Sequence, residues 1–134
     1  MSSPTLTEWL DGLQQKPFSW STWHCCHFAS SWVAFATGRD HMANKPTVAD
    51  VRSARRAVNS FGGNLQVAIS NELGAQPINP KLAKLGDIVL LPADNDEGVG
   101  LVGICNGRVS FFLNESGGIT SIPTEQAQCA WAIK

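Results

Sequence analysis

The chain has 134 residues, 43% of them hydrophobic, which is enough for one globular domain with a single core. Its 10 Lys and Arg and 11 Asp and Glu give a formal net charge of −1, so no nucleic-acid partner is expected. No segment reaches the roughly 18 apolar residues of a membrane span, and the chain opens without a basic leader or an apolar run. We therefore expect a single domain over residues 1–134 that is made in a cytosol and has no membrane span.

Helical spacing of apolar residues dominates the first half of the chain. It predicts a first helix over residues 4–15 and a third helix that Thr47 caps and that ends before Gly62. A shorter helix is predicted over residues 65–73. The second helix, which lies between these, carries the residues with chemical potential.

This second helix begins at two adjacent cysteines, Cys25 and Cys26, within an aromatic stretch over residues 18–38. Its apolar residues recur at the spacing of one buried helical face, which includes Cys25, and Gly38 suits the left-handed conformation that ends a helix. The N–H groups and partial positive charge of a helix start favour a thiolate over a thiol. Cys25 is therefore the candidate catalytic nucleophile. The alternative is that both cysteines are small buried hydrophobic residues.

Aromatic residues lead into the cysteines, and three side chains are candidate binding residues: Trp20, Trp23 and His24. An aromatic side chain here either lines a cleft at the helix start or closes that end of the core. The sequence leaves both alternatives open.

The four cysteines, without a secretion signal, are too few for a disulfide scaffold and are expected to be thiols. We expect no cofactor. A metal or iron–sulfur site at Cys25, Cys26 and Cys105 is an alternative, because residues 24–27 form a dense block of soft ligands. Adjacent residues of a helix diverge by about 100°, so four consecutive residues cannot all ligate one ion.

From residue 75 onward, short β-rich segments alternate with Gly, Asn and Pro, which predicts a sheet. The predicted strands cover residues 76–78, 87–91, 100–105, 108–113, 119–122 and 129–133. The pair Asn106-Gly107 is typical of a two-residue hairpin and makes its flanking strands antiparallel neighbours. Helices followed by an antiparallel sheet predict an α+β fold in which the cysteine helix packs on one face of the sheet.

Three segments in this order, FSWSTWHCCHFASSWV, GDIVLL and VGICNG, resemble the papain-like NlpC/P60 superfamily. They resemble in particular a small branch that is common among tail proteins of tailed phages and gene-transfer agents. The resemblance covers most of the chain. The resemblance implies that Cys25 takes the nucleophile position and that Gly86-Asp87 starts the first core strand. It also implies that Val102-Gly103-Ile104 is the run that follows the catalytic histidine.

The chain departs from the family pattern at the histidine position, which is Leu101, and before the cysteine, where His24 replaces the usual aspartate. We expect the Leu101 side chain beside the start of the cysteine helix, in the place of the histidine. The polar residue that would orient a histidine falls at Ser110. Leucine cannot take the thiol proton or return it to a leaving amine. Helical geometry directs His24 and His27 away from the inward face of Cys25, so neither is expected to act as its base.

The resemblance and the missing base together imply a structural or assembly component of a phage tail tip or baseplate, whose hydrolase site has decayed. Such a protein is made in the host cytoplasm, resides in the virion and binds other tail proteins. The resemblance leaves open an active cysteine peptidase or amidase that cleaves peptidoglycan during genome entry. Cys25 would be its nucleophile, and backbone N–H groups at the helix start would form the oxyanion hole.

Overall fold

A computed structural model describes residues 6–11, 18–19, 23–42, 48, 50–60, 63–92, 100–113 and 118–133. The helices are α1 (Leu6–Asp11), α2 (Cys25–Thr37), α3 (Val51–Ser60) and α4 (Leu65–Leu73). The strands are β1 (Ile88–Leu91), β2 (Leu101–Cys105), β3 (Val109–Leu113), β4 (Ile119–Pro123) and β5 (Cys129–Trp131). The predicted α+β class is confirmed. Within the described part of the chain, no helix is both long and apolar enough to cross a membrane.

The strands form one antiparallel sheet in the order β4-β3-β2-β1-β5. The prediction of an additional strand over residues 76–78 is wrong, because this segment makes only an isolated bridge between Ile78 and Ala130. Pro77 and Pro80 explain the difference. Neither has a backbone N–H, so a continuous ladder cannot form on both sides of Ile78.

Helix α2 begins and ends where its capping residues allow. Gly38 adopts a left-handed conformation with φ of 84°, as predicted, and its N–H donates to the carbonyl of Ala34. Helix α3 begins later than predicted, because the Asp50 side chain accepts the backbone N–H of Ser53 at 2.8 Å. Thr47, the predicted cap of that helix, lies outside the described residues.

Successive residues of the central strands alternate between two apolar clusters, so the centre of the sheet is buried on both faces. The helix-side cluster joins helices α1, α2 and α4 to one face of the sheet and contains Leu6, Leu10, Phe28, Trp32, Val33, Leu65, Ile88, Leu90, Val102, Ile104, Leu113 and Trp131. The far-side cluster contains Val89, Cys105, Phe112, Ala127 and Ala130. The prediction that the cysteine helix packs on one face of the sheet is confirmed.

The hairpin between β2 and β3 is antiparallel, as its sequence predicts. The N–H of Asn106 donates to the carbonyl of Val109 at 2.9 Å, which places Gly107 and Arg108 at the centre of the turn. Among the described residues only glycines have a positive φ, and Gly107 has a φ of 90°. The turn is therefore centred one residue later than the Asn-Gly pair suggests, with Gly in the first central position.

Candidate functional site

The candidate site lies where the first residue of α2 meets the second strand. Cys25 is half-buried, and the backbone N–H of Val102 donates to its sulfur. The N–H of Cys105 points to β1, so strand alternation directs the N–H of Val102 towards the β3 side of β2. Pairing between β2 and β3 starts only at Gly103, which leaves the Val102 N–H available to the sulfur.

His24 caps helix α2 through its side chain. Its backbone is extended, with φ of −107° and ψ of −174°, and its Nδ1 accepts the N–H of Cys26 at 3.1 Å. The Nδ1 of His27 accepts the N–H of His24 at 3.4 Å, which completes a reciprocal capping box. The two imidazole rings lie 4.1 Å apart, measured between centroids.

The expectation that His24 points away from Cys25 is wrong. A hydrogen bond joins the His24 side chain to Cys25, and one ligand atom from each of His24, Cys25 and Cys26 lies within 4.8 Å of the others. The physical reason is that His24 precedes the helix. Its extended backbone does not follow the helical rotation that separates neighbouring side chains.

The pKa values of the two adjacent cysteines are shifted in opposite directions. The pKa of Cys25 is lowered well below its ordinary value of 9.0, chiefly by a hydrogen bond from the Cys26 thiol. Burial opposes this shift, and hydrogen bonds from His24 and from the Val102 N–H support it. The pKa of Cys26 is raised well above 9.0, because Cys26 donates to Cys25 and because it is desolvated. Of the two, Cys25 is therefore the more acidic thiol, and Cys26 is the thiol that donates to its sulfur.

The cap limits what His24 can do as a base. An imidazolium ion carries a proton on both ring nitrogens, whereas Nδ1 of His24 must be unprotonated to accept the N–H of Cys26. Taking the thiol proton would therefore cost His24 its capping bond. His24 can stabilise a Cys25 thiolate by hydrogen bonding. Proton transfer to His24, however, removes the side-chain cap of α2.

Leu101 does not lie where the resemblance places a histidine. It is half-buried and packs against the far-side cluster, whereas its neighbour Val102 belongs to the helix-side cluster with the residues of α2. The expectation that the Leu101 side chain lies beside the start of the cysteine helix is therefore wrong. Strand β2 meets Cys25 through the backbone of Val102.

Ser110 and Cys105 are also on the far side of the sheet. Ser110 pairs with Cys105 across β3 and β2, and its hydroxyl lies 2.7 Å from the hydroxyl of Thr124. The sulfur of Cys105 accepts the N–H of Gly107 at 3.3 Å. Ser110 therefore cannot orient a group at Cys25, and the proposed metal set of Cys25, Cys26 and Cys105 is wrong because the sheet separates its members.

Two of the predicted binding residues, Trp23 and His24, are described by the structure, and of these two His24 lies at the cysteines. Trp23 is 3% exposed and packs edge-on against Phe28 in the helix-side cluster, so it closes the end of the core. Trp20 lies outside the described residues. The remaining histidine, His41, is engaged elsewhere, with its Nδ1 2.8 Å from Oε2 of Glu72 on α4.

Trp32 and Asp87 hold the helix and the sheet in register behind the site. The indole N–H of Trp32 donates to the carbonyl of Gly86 at 2.8 Å. The buried carboxylate of Asp87 accepts the N–H of Lys84 at 2.8 Å and the N–H of Ile133 at 3.1 Å. Hydrogen bonds of the Gly-Asp pair thus join α2, the start of β1 and the segment after β5.

Comparison with known proteins gives one informative result. No curated protein and no solved structure matches the chain. Residues 2–133 match a family described as a domain of unknown function, DUF6950. Because this match spans nearly all of the sequence, the protein belongs to the DUF6950 family.

Proposed function

We propose that this protein is a structural or assembly component of the tail tip or baseplate of a bacteriophage or phage-like particle. It is built on an NlpC/P60-like, papain-like fold whose hydrolase site has decayed. It is made in the host cytoplasm, resides in the virion and acts by binding other tail proteins. The observation that carries the proposal is the contact of Cys25 with the backbone of β2, at a strand that directs Leu101 to its opposite face.

The fold assignment is supported by the position of the cysteine. Cys25 is the first residue of a helix that packs on an antiparallel sheet, as the resemblance requires of the nucleophile. Gly86 and Asp87 directly precede β1, the position that the resemblance gives to the Gly-Asp pair. The origin of the protein in a phage tail is supported by the sequence resemblance of the segments that contain these residues.

The decay of the site is supported by the lack of an efficient proton donor among the described residues at Cys25. A thiol hydrolase needs a group that gives a proton to the leaving amine. Leu101 cannot supply one, and His24 can become an imidazolium only by losing the capping bond to Cys26. A thiolate without an efficient proton donor has no complete catalytic cycle.

A role in assembly is supported by apolar side chains on the surface. Phe35 is 49% exposed on α2, and Leu82 and Leu85 are 66% and 61% exposed in the segment before β1. Lys81 and Lys84, also exposed, alternate with these leucines. Phe35 stacks on Trp32, and the indole N–H of Trp32 donates to the carbonyl of Gly86, the residue that follows Leu85. An apolar patch with a basic rim suits a protein partner.

Complementation of a phage that lacks this protein tests the proposal. We expect Cys25→Ala to cost about 1 kcal/mol of stability and to leave tail morphology and plaque formation largely intact. A Leu82→Asp, Leu85→Asp double variant should fold but fail to enter particles, because it changes the exposed patch and spares the core. Normal incorporation of the double variant, or particles with Cys25→Ala that look normal but cannot infect, contradicts the proposal.

A second function, cleavage of a peptide or amide bond of peptidoglycan, is favoured by the hydrogen bonds that lower the pKa of Cys25. His24 would take the Cys25 thiol proton on Nδ1 and lose its capping bond, and the thiolate would attack the carbonyl carbon. The imidazolium would return that proton to the leaving amine as the C–N bond breaks, and water would then hydrolyse the thioester. Degradation of peptidoglycan by the wild-type protein in a gel overlay, abolished by Cys25→Ala and retained by Cys105→Ala, would establish this function. The absence of clearing in the wild-type lane would reject it.

A further inference from the structure

We propose that His24, Cys25 and Cys26 form a three-ligand binding site for a thiophilic metal ion of the Zn²⁺ class. This site is independent of the proposed role in a phage tail. It also differs from the alternative metal set that the sequence left open, since the imidazole of His24 takes the place of Cys105.

The geometry carries the inference. One ligand atom from each of the three residues lies within 4.8 Å of the other two. Ligands of a tetrahedral Zn²⁺ ion lie roughly 3.5–3.8 Å apart, given Zn–S bonds of about 2.3 Å and Zn–N bonds of about 2.0–2.1 Å. Neither Cys25 nor Cys26 is held in a disulfide, so both sulfurs are free to rotate towards a shared ion.

The chemistry of the ligands selects the class of metal. Two thiol sulfurs and one imidazole nitrogen are a soft to borderline set, which prefers Zn²⁺ over Mg²⁺ or Ca²⁺. Binding forms two Zn–S bonds and one Zn–N bond, and the thiol protons of Cys25 and Cys26 pass to solvent. The two thiolates then neutralise the charge of the ion, which suits a site whose cysteines are half-buried and whose histidine is buried.

His24 would exchange one role for another. Its Nδ1 lone pair accepts the N–H of Cys26 in the metal-free protein. If Nδ1 ligates the ion, the lone pair is used. If Nε2 ligates it, the ring proton moves to Nδ1, and the capping bond is lost as well. Metal binding therefore replaces the side-chain cap of α2, and the ion takes over the task of holding His24 against the helix start.

Three protein ligands leave one coordination position of a tetrahedral ion open. In the described part of the chain, the group of potential ligands at this position contains no residue besides these three. His27 is close, but its Nδ1 accepts the N–H of His24. A tetrahedral ion here would complete its coordination with water or with an atom from a bound molecule, as open zinc sites do.

The test is a titration of the reduced, chelator-treated full-length protein with Co²⁺ and then Zn²⁺. We expect one Co²⁺ per chain, a sulfur-to-cobalt charge-transfer band, and loss of that band when Zn²⁺ displaces the cobalt. Cys25→Ser and Cys26→Ser should each weaken Zn²⁺ binding by at least about tenfold. Cys105→Ser is the matched control and should leave the affinity unchanged, because its sulfur is on the opposite face of the sheet.

His24→Asn separates ligation from folding. Asn is a good N-cap and keeps an acceptor for the N–H of Cys26, but it removes the imidazole. We expect this variant to keep its metal-free stability and to lose at least about tenfold in Zn²⁺ affinity. No charge-transfer band in the wild-type protein, a band that depends on Cys105 or Cys129, or unchanged affinity in His24→Asn would overturn the proposal.

Discussion

The indole N–H of Trp32 donates a 2.8 Å hydrogen bond to the carbonyl oxygen of Gly86, across 54 residues of sequence. This bond joins the middle of α2 to the turn that starts β1. Because Trp32 lies two helical turns beyond Cys25, the bond helps to fix the angle at which the helix start meets β2. The position of the Cys25 sulfur therefore depends on a residue that does not touch it.

Trp32→Phe should lower the free energy of unfolding by about 1–3 kcal/mol, because the buried Gly86 carbonyl loses its donor. Trp32→Ala should cost about 3–5 kcal/mol, since it also removes a buried aromatic ring. Urea unfolding measures both. Phe35→Leu on the same helix is the control and should change stability by no more than about 0.5 kcal/mol, as its side chain is 49% exposed. Equal effects for Trp32→Phe and the control would show that the hydrogen bond contributes nothing.

Gly86→Ala should destabilise the protein for two separate reasons. Gly86 has a φ of 92°, which costs a residue with a Cβ about 1–2 kcal/mol, and an added Cβ would lie 3.2 Å from the Trp32 ring. Gly63→Ala is the matched control, since Gly63 has a φ of 94° and nothing within 4 Å of an added Cβ. Thermal unfolding should show the larger loss at Gly86. If the two variants are equally destabilised, the Trp32 ring moves away from the added Cβ at no measurable cost.

His24→Ala should destabilise the protein by about 1 kcal/mol, within the range of about 0.5–2 kcal/mol that the loss of an N-cap costs. His24→Asn should restore most of this, because its side-chain oxygen can accept the N–H of Cys26. Denaturant unfolding of the metal-free protein measures both variants. If His24→Asn is as unstable as His24→Ala, the imidazole supports the fold through contacts other than the cap.

Alkylation of Cys25 should follow a pH profile displaced well below that of an ordinary thiol. The lowered pKa keeps Cys25 ionised at pH values where a thiol of pKa 9.0 is protonated. Cys26→Ala should move the profile to higher pH, because it removes the largest cause of the shift. Mass spectrometry of the alkylated protein assigns the site. Half-maximal labelling of Cys25 near pH 9.0 in the wild-type protein would contradict this prediction.

The same shifts make stability depend on pH in opposite directions. The lowered pKa of Cys25 stabilises the fold fully above 9.0, and this contribution is lost as the pH falls through the folded-state pKa. The raised pKa of Cys26 stabilises the fold below 9.0, and this contribution is lost as the pH rises through its folded-state pKa. In Cys25→Ser, the free energy of unfolding should therefore no longer fall through this linkage as the pH drops below 9.0. An unchanged pH dependence in this variant would rule out the linkage.

Helix ends, the hairpin and the class of fold were predictable from sequence, whereas individual side-chain contacts between residues distant in sequence were not. The start of α2 at Cys25 and its end at Gly38 follow from helical spacing and from the conformational freedom of glycine. The pairing of β2 with β3 follows from turn chemistry at Gly107. The class of fold follows from the order of these elements along the chain.

The face to which Leu101 points was not predictable in the same way. Alternation requires that Leu101 and Val102 point to opposite faces, but which face meets the helix is set by packing and register with neighbouring strands. The direction of the His24 side chain was not predicted, for a different reason. A histidine directly before a helix can turn its ring back as a cap, and the position of His27 three residues later is the signal of a capping box.

The strand order has a consequence for the synthesis of the chain. β1 lies between β2 and β5, and β5 is the last of the strands in sequence. Until residue 131 has left the ribosome, β1 has one open edge, and the carboxylate of Asp87 lacks the N–H of Ile133. Hydrogen bonding along this edge is therefore completed only once residues 129–133 are available. A nascent chain that stalls before β5 exposes the open edge of an apolar strand, which favours aggregation and proteolysis.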